Sequence, residues 1–184
     1  MPYWEKQGYP AIHHSEIFRE NYKPAYRLIS KKYVSFISLF IELDKQLEKG
    51  PLKIAIEGGS ASGKSTLAQL LKDIYICTIL HMDDFFLQLW QRTPERFKEI
   101  GGNVDRERFL EEVLKPLSKG NDIIYRPFDC KTMTILESKT IKPQKLTVIE
   151  GAYSMHPDLE AYYDFSVFLD ILPETQRKRV LKRN

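Results

Sequence analysis

The segment Gly58–Ser65, which reads GGSASGKS, constrains the fold of this chain more than any other part of the sequence. It follows a short apolar and β-branched run, Lys53–Glu57, which is typical of a buried strand. From Ser65 to about Ile74 the apolar positions recur at steps of three and four, as on the inner face of a helix. A strand, a glycine-rich turn and a helix in this order indicate an α/β domain built on a parallel sheet.

The residue types in this turn have a chemical reason, because they match the pattern G-x-x-x-x-G-K-[ST]. Glycines let backbone N–H groups point at phosphate oxygens, and the following helix adds the positive end of its dipole. Lys64 is expected to reach the β and γ phosphates of a nucleotide, and the Ser65 hydroxyl to hold Mg²⁺. A chance match is the alternative, but the flanking strand and helix argue against it. We predict ATP and Mg²⁺ as cofactors, with nucleotide contacts from Gly58, Gly59, Ser60, Ala61, Ser62, Gly63, Lys64, Ser65 and Thr66.

Strand and helix patterns alternate along the rest of the chain. The strand candidates are Thr78–Met82, Leu146–Ile149 and Phe165–Asp170, and the helix candidates are Glu107–Ser118 and a segment from Pro173 onward. The alternation predicts a three-layer α/β P-loop NTPase fold with a parallel sheet. Residues 1–50 are predicted to form an arm and a helix, from about Ala25 to Glu48, that packs on this core. Residues 51–184 are predicted to form the nucleotide-binding domain.

Length and composition exclude several classes of protein. The chain has 184 residues, enough for one compact domain, and its 28 basic and 25 acidic residues leave a net charge of +3. So mild a balance gives no reason to expect a nucleic-acid partner. Cys77 and Cys130 have no metal-ligand spacing, and no apolar stretch has the length of a membrane span or the form of a signal peptide. We expect a cytoplasmic protein without a membrane partner, and its oligomeric state stays open.

Two acidic sites fall at the ends of predicted strands. The second strand runs into Asp83 and Asp84, and the third runs into Glu150. Because ligands bind beyond the carboxyl ends of parallel strands, Asp83 and Glu150 are expected to face the γ-phosphate. There, one carboxylate orients or deprotonates an attacking hydroxyl, while the other holds Mg²⁺ together with Ser65. The alternatives are that one of the two aspartates caps a turn and that Glu150 is solvated.

The predicted C-terminal helix supplies cations. Arg179 and Arg183 are four residues apart and therefore lie on one helical face. Arginines on a helix that closes over ATP stabilise the charge on the γ-phosphate during transfer. The alternative is a basic helix face that is simply solvated.

The phosphate loop by itself indicates a nucleotide rather than a reaction. No guanine-reading Asn-Lys-x-Asp sequence occurs, which argues against a GTPase, and length and charge argue against a nucleic-acid-linked ATPase. Two hypotheses remain: an ATP-dependent kinase that phosphorylates a small hydroxylated molecule, and a non-catalytic ATP-binding regulator. Asp83, Glu150 and Arg179 favour the kinase, because a binding module needs no base.

The ordered set of these segments resembles the uridine kinase and phosphoribulokinase family of P-loop kinases. The resemblance extends from about Lys53 to Asn184 and is carried by GGSASGKS, MDDFF, NVDRERF, YRPFD, IEGAY and ETQRKRVLKRN. It implies a nucleoside-monophosphate-kinase-like sheet and transfer of the ATP γ-phosphate to a hydroxyl of a small acceptor. It also implies Asp83 as the catalytic base, Asp105 as a ligand of sugar hydroxyls, Glu150 near Mg²⁺ and Arg179 in the lid. The alternative for Asp105 is that it is the N-cap of the predicted helix Glu107–Ser118.

Departures from the family pattern concern the acceptor and the lid. Phe128 stands where uridine kinases have a tyrosine against the base, Met133 replaces an expected histidine, and Gln176 replaces a lid arginine. Arg126 offers a charged fork suited to a carboxylate or phosphate, with a surface arginine as the alternative. The predicted acceptor contacts are Asp83, Asp105, Arg126, Phe128 and Arg183. We expect a poor uridine kinase that acts on a nucleoside or another hydroxylated metabolite, and the resemblance implies that the sequence ends in or just after the lid.

Overall fold

The computed structural model describes residues 16–21 and 29–182. The chain divides into two compact units, Met1–Glu48 and Lys49–Asn184. The phosphate loop and the predicted strands all belong to the second unit.

The first unit carries α1 (Glu16–Asn21), α2 (Lys31–Val34) and most of α3 (Ile37–Lys49). The predicted helix over residues 25–48 begins in a segment outside the described residues, and from residue 29 onward it is interrupted at Ser35 and Phe36. The interruption is a tight turn, in which the Phe36 N–H donates to the Tyr33 carbonyl at 2.9 Å. The Phe40 ring packs on both aromatic neighbours, with ring centroids 6.1 Å from Tyr33 and 6.4 Å from Phe36. The packing of this unit on the core stays a prediction.

The strands of the second unit are β1 (Leu52–Gly58), β2 (Cys77–His81), β3 (Ile123–Tyr125), β4 (Phe128–Asp129), β5 (Thr134–Ile135), β6 (Lys139–Ile141), β7 (Leu146–Glu150) and β8 (Phe165–Leu169). Four of them form a parallel sheet in the order β2-β7-β1-β8. All five residues of β7 are buried, because this strand has a neighbour on each side and helices cover such sheets. The predicted parallel α/β fold is confirmed, and each of its four strand predictions is correct to within one residue.

The helices of the second unit are α4 (Lys64–Ile74), α5 (Arg106–Phe109), α6 (Lys115–Ser118), α7 (Pro157–Glu160) and α8 (Pro173–Leu181). A π-helical stretch, Leu110–Leu114, joins α5 to α6, so the predicted helix over residues 107–118 is present but widened in its middle. Pro116 has no N–H to donate to the carbonyl four residues earlier, and the wide turns lie directly before it. In the described residues, no helix combines the length and the apolar character needed to cross a bilayer.

Two short antiparallel pairs, β3 with β6 and β4 with β5, were not predicted from the sequence. Strands of two or three residues are too short to show an alternating pattern. They lie beside a buried apolar cluster in which the Phe85 ring packs edge-on to Phe109, at 4.9 Å, and stacks on Tyr125, at 5.3 Å. These contacts fix the short 3₁₀ turn Met82–Phe85, which follows β2 and carries Asp83.

Candidate active site

A cavity of about 220 Å³ lies beyond the carboxyl ends of β1, β2 and β7. It is the place where ligands bind in parallel sheets of this kind. The cavity is lined by residues of the phosphate loop, by both predicted carboxylates and by the segment after β7. The lining residues are Ser60, Ala61, Gly63, Lys64, Ser65, Thr66, Asp83, Glu150, Gly151 and Ala152. The structure thus brings together, around one cavity, residues that lie up to 92 positions apart in the sequence.

The phosphate loop takes its shape from its backbone and from Lys64. Gly63 has a φ of 108°, a left-handed conformation that favours glycine, at the N-cap of α4. A Cβ on Gly58 would clash with the Leu169 carbonyl of the neighbouring β8, so this position also requires glycine. The Lys64 ammonium donates to the carbonyls of Gly58 and Gly59, at 2.9 and 3.0 Å. Lys64 therefore lies folded over its own loop, beside the cavity.

Glu150 is held by His81 at the end of β7. Its Oε1 lies 2.7 Å from Nδ1 of His81, the last residue of β2. Burial raises the pKa of Glu150, but the hydrogen bond to His81 and the charges of His81 and Lys64 outweigh it and leave the pKa below its ordinary value. The same hydrogen bond raises the pKa of His81. Glu150 is thus an ionised carboxylate.

Asp83 and Asp84 have different surroundings. Asp83 lines the cavity, and burial, followed by the charge of Glu150, raises its pKa above the ordinary value. A carboxylate with a raised pKa is the stronger base. Asp84 instead accepts a hydrogen bond from the Tyr125 hydroxyl at 2.8 Å, and its backbone carbonyl accepts one from Arg108. Asp83 thus lies at the cavity, whereas Asp84 fastens the turn to β3.

Helix α8 contacts the phosphate loop from the side of its carbonyl groups. The Gln176 amide donates to the Ser60 carbonyl at 2.9 Å. The Arg179 guanidinium donates to the carbonyls of Ala61 and Ser62, at 3.0 and 3.4 Å. Arg179 therefore touches the loop itself in this structure, while Arg183 lies outside the described residues.

Asp105 is the N-cap of α5, one of the two interpretations that its sequence position allowed. It is 3% exposed, and its carboxylate accepts bonds from the Arg108 N–H at 3.1 Å and from the Gln91 amide at 3.0 Å. The Arg108 side chain adds a third bond at 3.3 Å. A sugar hydroxyl that binds Asp105 would therefore join or replace Gln91, whose role the sequence did not reveal.

The other two predicted acceptor contacts already have partners within the chain. Arg126 forms an ion pair with Glu112, with Nη2 2.6 Å from Oε1. Phe128 is 5% exposed, and the Arg92 guanidinium lies 5.9 Å from its ring centroid. Neither residue stands free to meet an acceptor, and their acceptor roles stay predictions. Sequence reasoning missed Arg92, because its position over Phe128 depends on the fold of a long loop.

The lining of the cavity fits phosphate groups and Mg²⁺. A Cβ on Gly63, at the start of α4, would meet no atom within 4 Å, so the loop leaves open space beside its backbone for phosphate oxygens. Mg²⁺ is usually held by one or two carboxylates together with substrate phosphates, which matches the set of Ser65, Asp83 and Glu150. Within residues 16–21 and 29–182, no cluster of three or more His, Cys, Asp or Glu side chains forms a self-contained metal site.

A parallel sheet, a phosphate loop between its first strand and a helix, and carboxylates at the ends of the adjacent strands define a P-loop nucleotide-binding protein. The sequence also matches the profile described as the Phosphoribulokinase / Uridine kinase family over residues 53–184. The match covers well over half of the chain, and the chain belongs to this family. The predicted family resemblance is confirmed.

Similar proteins include several kinases. The chain is 26% identical over 140 residues to a uridine kinase from Chlamydia pneumoniae, covering 71% of this chain and 61% of that protein. It is 29% identical over 153 residues to a bifunctional alpha-galactosidase/sucrose kinase from Mediterraneibacter gnavus, covering 71% and 16%. It is 26% identical over 146 residues to a dephospho-CoA kinase from Clostridium tetani, covering 70% and 63%. The chain thus spans less than two thirds of each of these relatives.

A solved structure described as a possible uridine kinase from Bacillus stearothermophilus has the same fold. It aligns with a TM-score of 0.58 at 24% identity, covering 76% of this chain and 85% of that one. At this level of identity the likeness concerns the fold alone. It agrees with the parallel sheet and flanking helices described above.

Proposed function

We propose that this protein is an ATP-dependent small-molecule kinase, which transfers the γ-phosphate of Mg-ATP to a hydroxyl group. The observation that carries the proposal is the convergence of Lys64, Ser65, Asp83 and Glu150 on one cavity. A regulator that only binds ATP needs the loop, but it gains nothing from a carboxylate of raised pKa beside it.

Each residue has a distinct part in the proposed reaction. When bound, Mg-ATP supplies the phosphoryl group and a cation that neutralises its oxygens. Lys64 leaves its loop carbonyls to donate to the phosphates, and Ser65 and Glu150 hold the cation. Asp83 accepts the proton of the attacking hydroxyl, which is general base catalysis. Arg179 fixes the loop from the opposite side and so keeps its N–H groups aimed at the phosphates.

We further propose that the accepting hydroxyl belongs to a sugar unit. The relatives are named for uridine, sucrose and dephospho-CoA, and each of these molecules carries sugar hydroxyls. Asp83 and Asp105 supply carboxylates, the usual acceptors for such hydroxyls. Arg126 is neutralised by Glu112, which removes the main reason to expect an anionic acceptor. The buried position of Phe128 gives a nucleobase no ring face to stack on.

The test is transfer of labelled γ-phosphate from ATP to a panel of nucleosides, mono- and disaccharides and sugar-containing cofactors. We expect at least one sugar-bearing acceptor to be phosphorylated by the native protein and none by Lys64→Ala. Tight binding of ATP without transfer to any of the acceptors would instead support the non-catalytic regulator.

A further inference from the structure

His81 contacts the cavity only through Glu150. The two residues end the adjacent parallel strands β2 and β7 and are register partners, so their side chains meet at the same edge of the sheet. The distance from Nδ1 to Oε1 is 2.7 Å, a strong charge-assisted hydrogen bond. Glu150 lines the cavity, whereas His81 is not part of its lining.

This hydrogen bond determines how the Glu150 carboxylate is presented. A glutamate side chain has three rotatable bonds, and fixing it in one orientation otherwise costs rotamer entropy. The bond to His81 holds Oε1 in place, and Ser65 lines the same cavity as Glu150. The carboxylate is therefore oriented beside the phosphate loop before any cation binds.

The exposure of the two side chains argues against a role for His81 in the core. The side chain of His81 is 49% exposed and that of Glu150 is 7% exposed. A half-exposed imidazole contributes little apolar burial, so stability of the fold gives little reason for histidine at this position. Covering a nearly buried carboxylate and holding it with a donor is a reason that the contact itself supplies.

We propose that His81 is a positioning residue of the magnesium site, which orients Glu150 toward the cation through Nδ1. The inference rests on the proposed Mg-nucleotide site, but it does not require transfer to any acceptor. Partners that orient metal-binding side chains typically contribute 10- to 100-fold to metal affinity.

Because the bonded atom is Nδ1, the substitutions can be chosen by shape. The amide nitrogen of asparagine occupies nearly the place of Nδ1, whereas that of glutamine occupies nearly the place of Nε2. His81→Asn should therefore retain the hydrogen bond, His81→Gln should misplace it, and His81→Leu should remove it. His156, which lies at the start of α7 with Asp158 as its partner, provides a control histidine in His156→Asn.

The experiment titrates Mg²⁺ into the native protein and each variant with a fluorescent ATP analogue and measures binding rather than activity. We expect His81→Leu and His81→Gln to raise the half-saturating Mg²⁺ concentration about tenfold or more. His81→Asn and His156→Asn should stay within about twofold of the native protein, and analogue binding without Mg²⁺ should be unchanged in every variant.

Several results would overturn the proposal. An unchanged Mg²⁺ requirement in His81→Leu would show that Glu150 needs no partner. Tighter Mg²⁺ binding would show that His81 acts by its charge and not by orientation. If His81→Leu weakens binding of the ATP analogue equally with and without Mg²⁺, His81 supports the phosphate loop and not the magnesium site. If the native protein binds the analogue independently of Mg²⁺, the proposed magnesium site does not exist. Mg²⁺-dependent binding without transfer to any acceptor would contradict the proposed kinase and leave the role of His81 intact.

Discussion

Replacing Asp83 with asparagine separates its proposed catalytic role from its effect on stability. The substitution keeps the size of the side chain but removes the base, so we expect kcat to fall by roughly 10²- to 10⁴-fold, the usual contribution of a positioned general base. This corresponds to about 3 to 5 kcal/mol of transition-state stabilisation. Affinity for ATP should change only a few-fold, because Lys64 and the loop backbone remain in place.

Whereas kcat should fall, the thermal stability of the folded protein should not. The pKa of Asp83 is raised by burial and by the Glu150 charge, so near neutral pH its ionised form is less favourable in the folded protein than in the unfolded chain. Asp83→Asn removes that penalty, and the midpoint of thermal unfolding at pH 7 should stay the same or rise. Below the ordinary pKa of an aspartate both states of the native protein are protonated, and the gain should vanish.

Asp84→Asn is the matched control, because it makes the same chemical change one residue away. Its amide oxygen can still accept the Tyr125 hydroxyl bond, so kcat should fall by less than about fivefold. Steady-state kinetics and thermal unfolding of both variants test the reasoning. It is refuted if Asp84→Asn is the severe variant while Asp83→Asn loses less than about tenfold in kcat, or if Asp83→Asn lowers the unfolding midpoint by several degrees.

Further expectations concern the phosphate loop and the acceptor. Lys64→Ala should weaken nucleotide binding in a fluorescence titration and abolish phosphate transfer, and unchanged transfer would contradict the kinase assignment. Gly58→Ala forces a Cβ against the Leu169 carbonyl, so chemical unfolding should show a loss of about 1 to 3 kcal/mol or more, and native-like stability would refute that steric argument. Because Phe128 is covered and Met133 cannot replace a polar base-reading group, kcat/KM for uridine should lie below about 10⁴ M⁻¹s⁻¹, and a higher value would show that the base is read in another way.

The sequence predicts the central sheet and the loop well because these segments obey strong local rules. β1 and β7 are largely apolar, β-branched runs that the structure buries, and the pattern from Gly58 to Ser65 has one dominant structural solution. The cavity follows from the same rules, since strand ends of a parallel sheet converge. Asp83 and Glu150 could therefore be placed near Lys64 without coordinates.

The acceptor side could not be predicted in the same way. The pairing of Arg126 with Glu112 depends on the position of a π-helical stretch, which no periodicity reveals. The cover over Phe128 depends on the course of the loop that carries Arg92. The sequence places His81 at the same end of the sheet as Asp83, because it lies two residues before that aspartate. The register that pairs His81 with Glu150 is visible only in the structure.

The contacts of α8 make the phosphate loop and the C-terminal helix a coupled pair. Gln176 and Arg179 donate to backbone carbonyls of the loop, so substitutions of loop side chains need not break these contacts. Coupling between two sites is reciprocal. If the contacts of α8 change the free energy of phosphate binding at the loop, phosphate binding changes the free energy of those contacts by the same amount. None of the described residues of α8 lines the cavity. A molecule that bound α8 would therefore change the affinity of the loop for phosphates without touching the nucleotide.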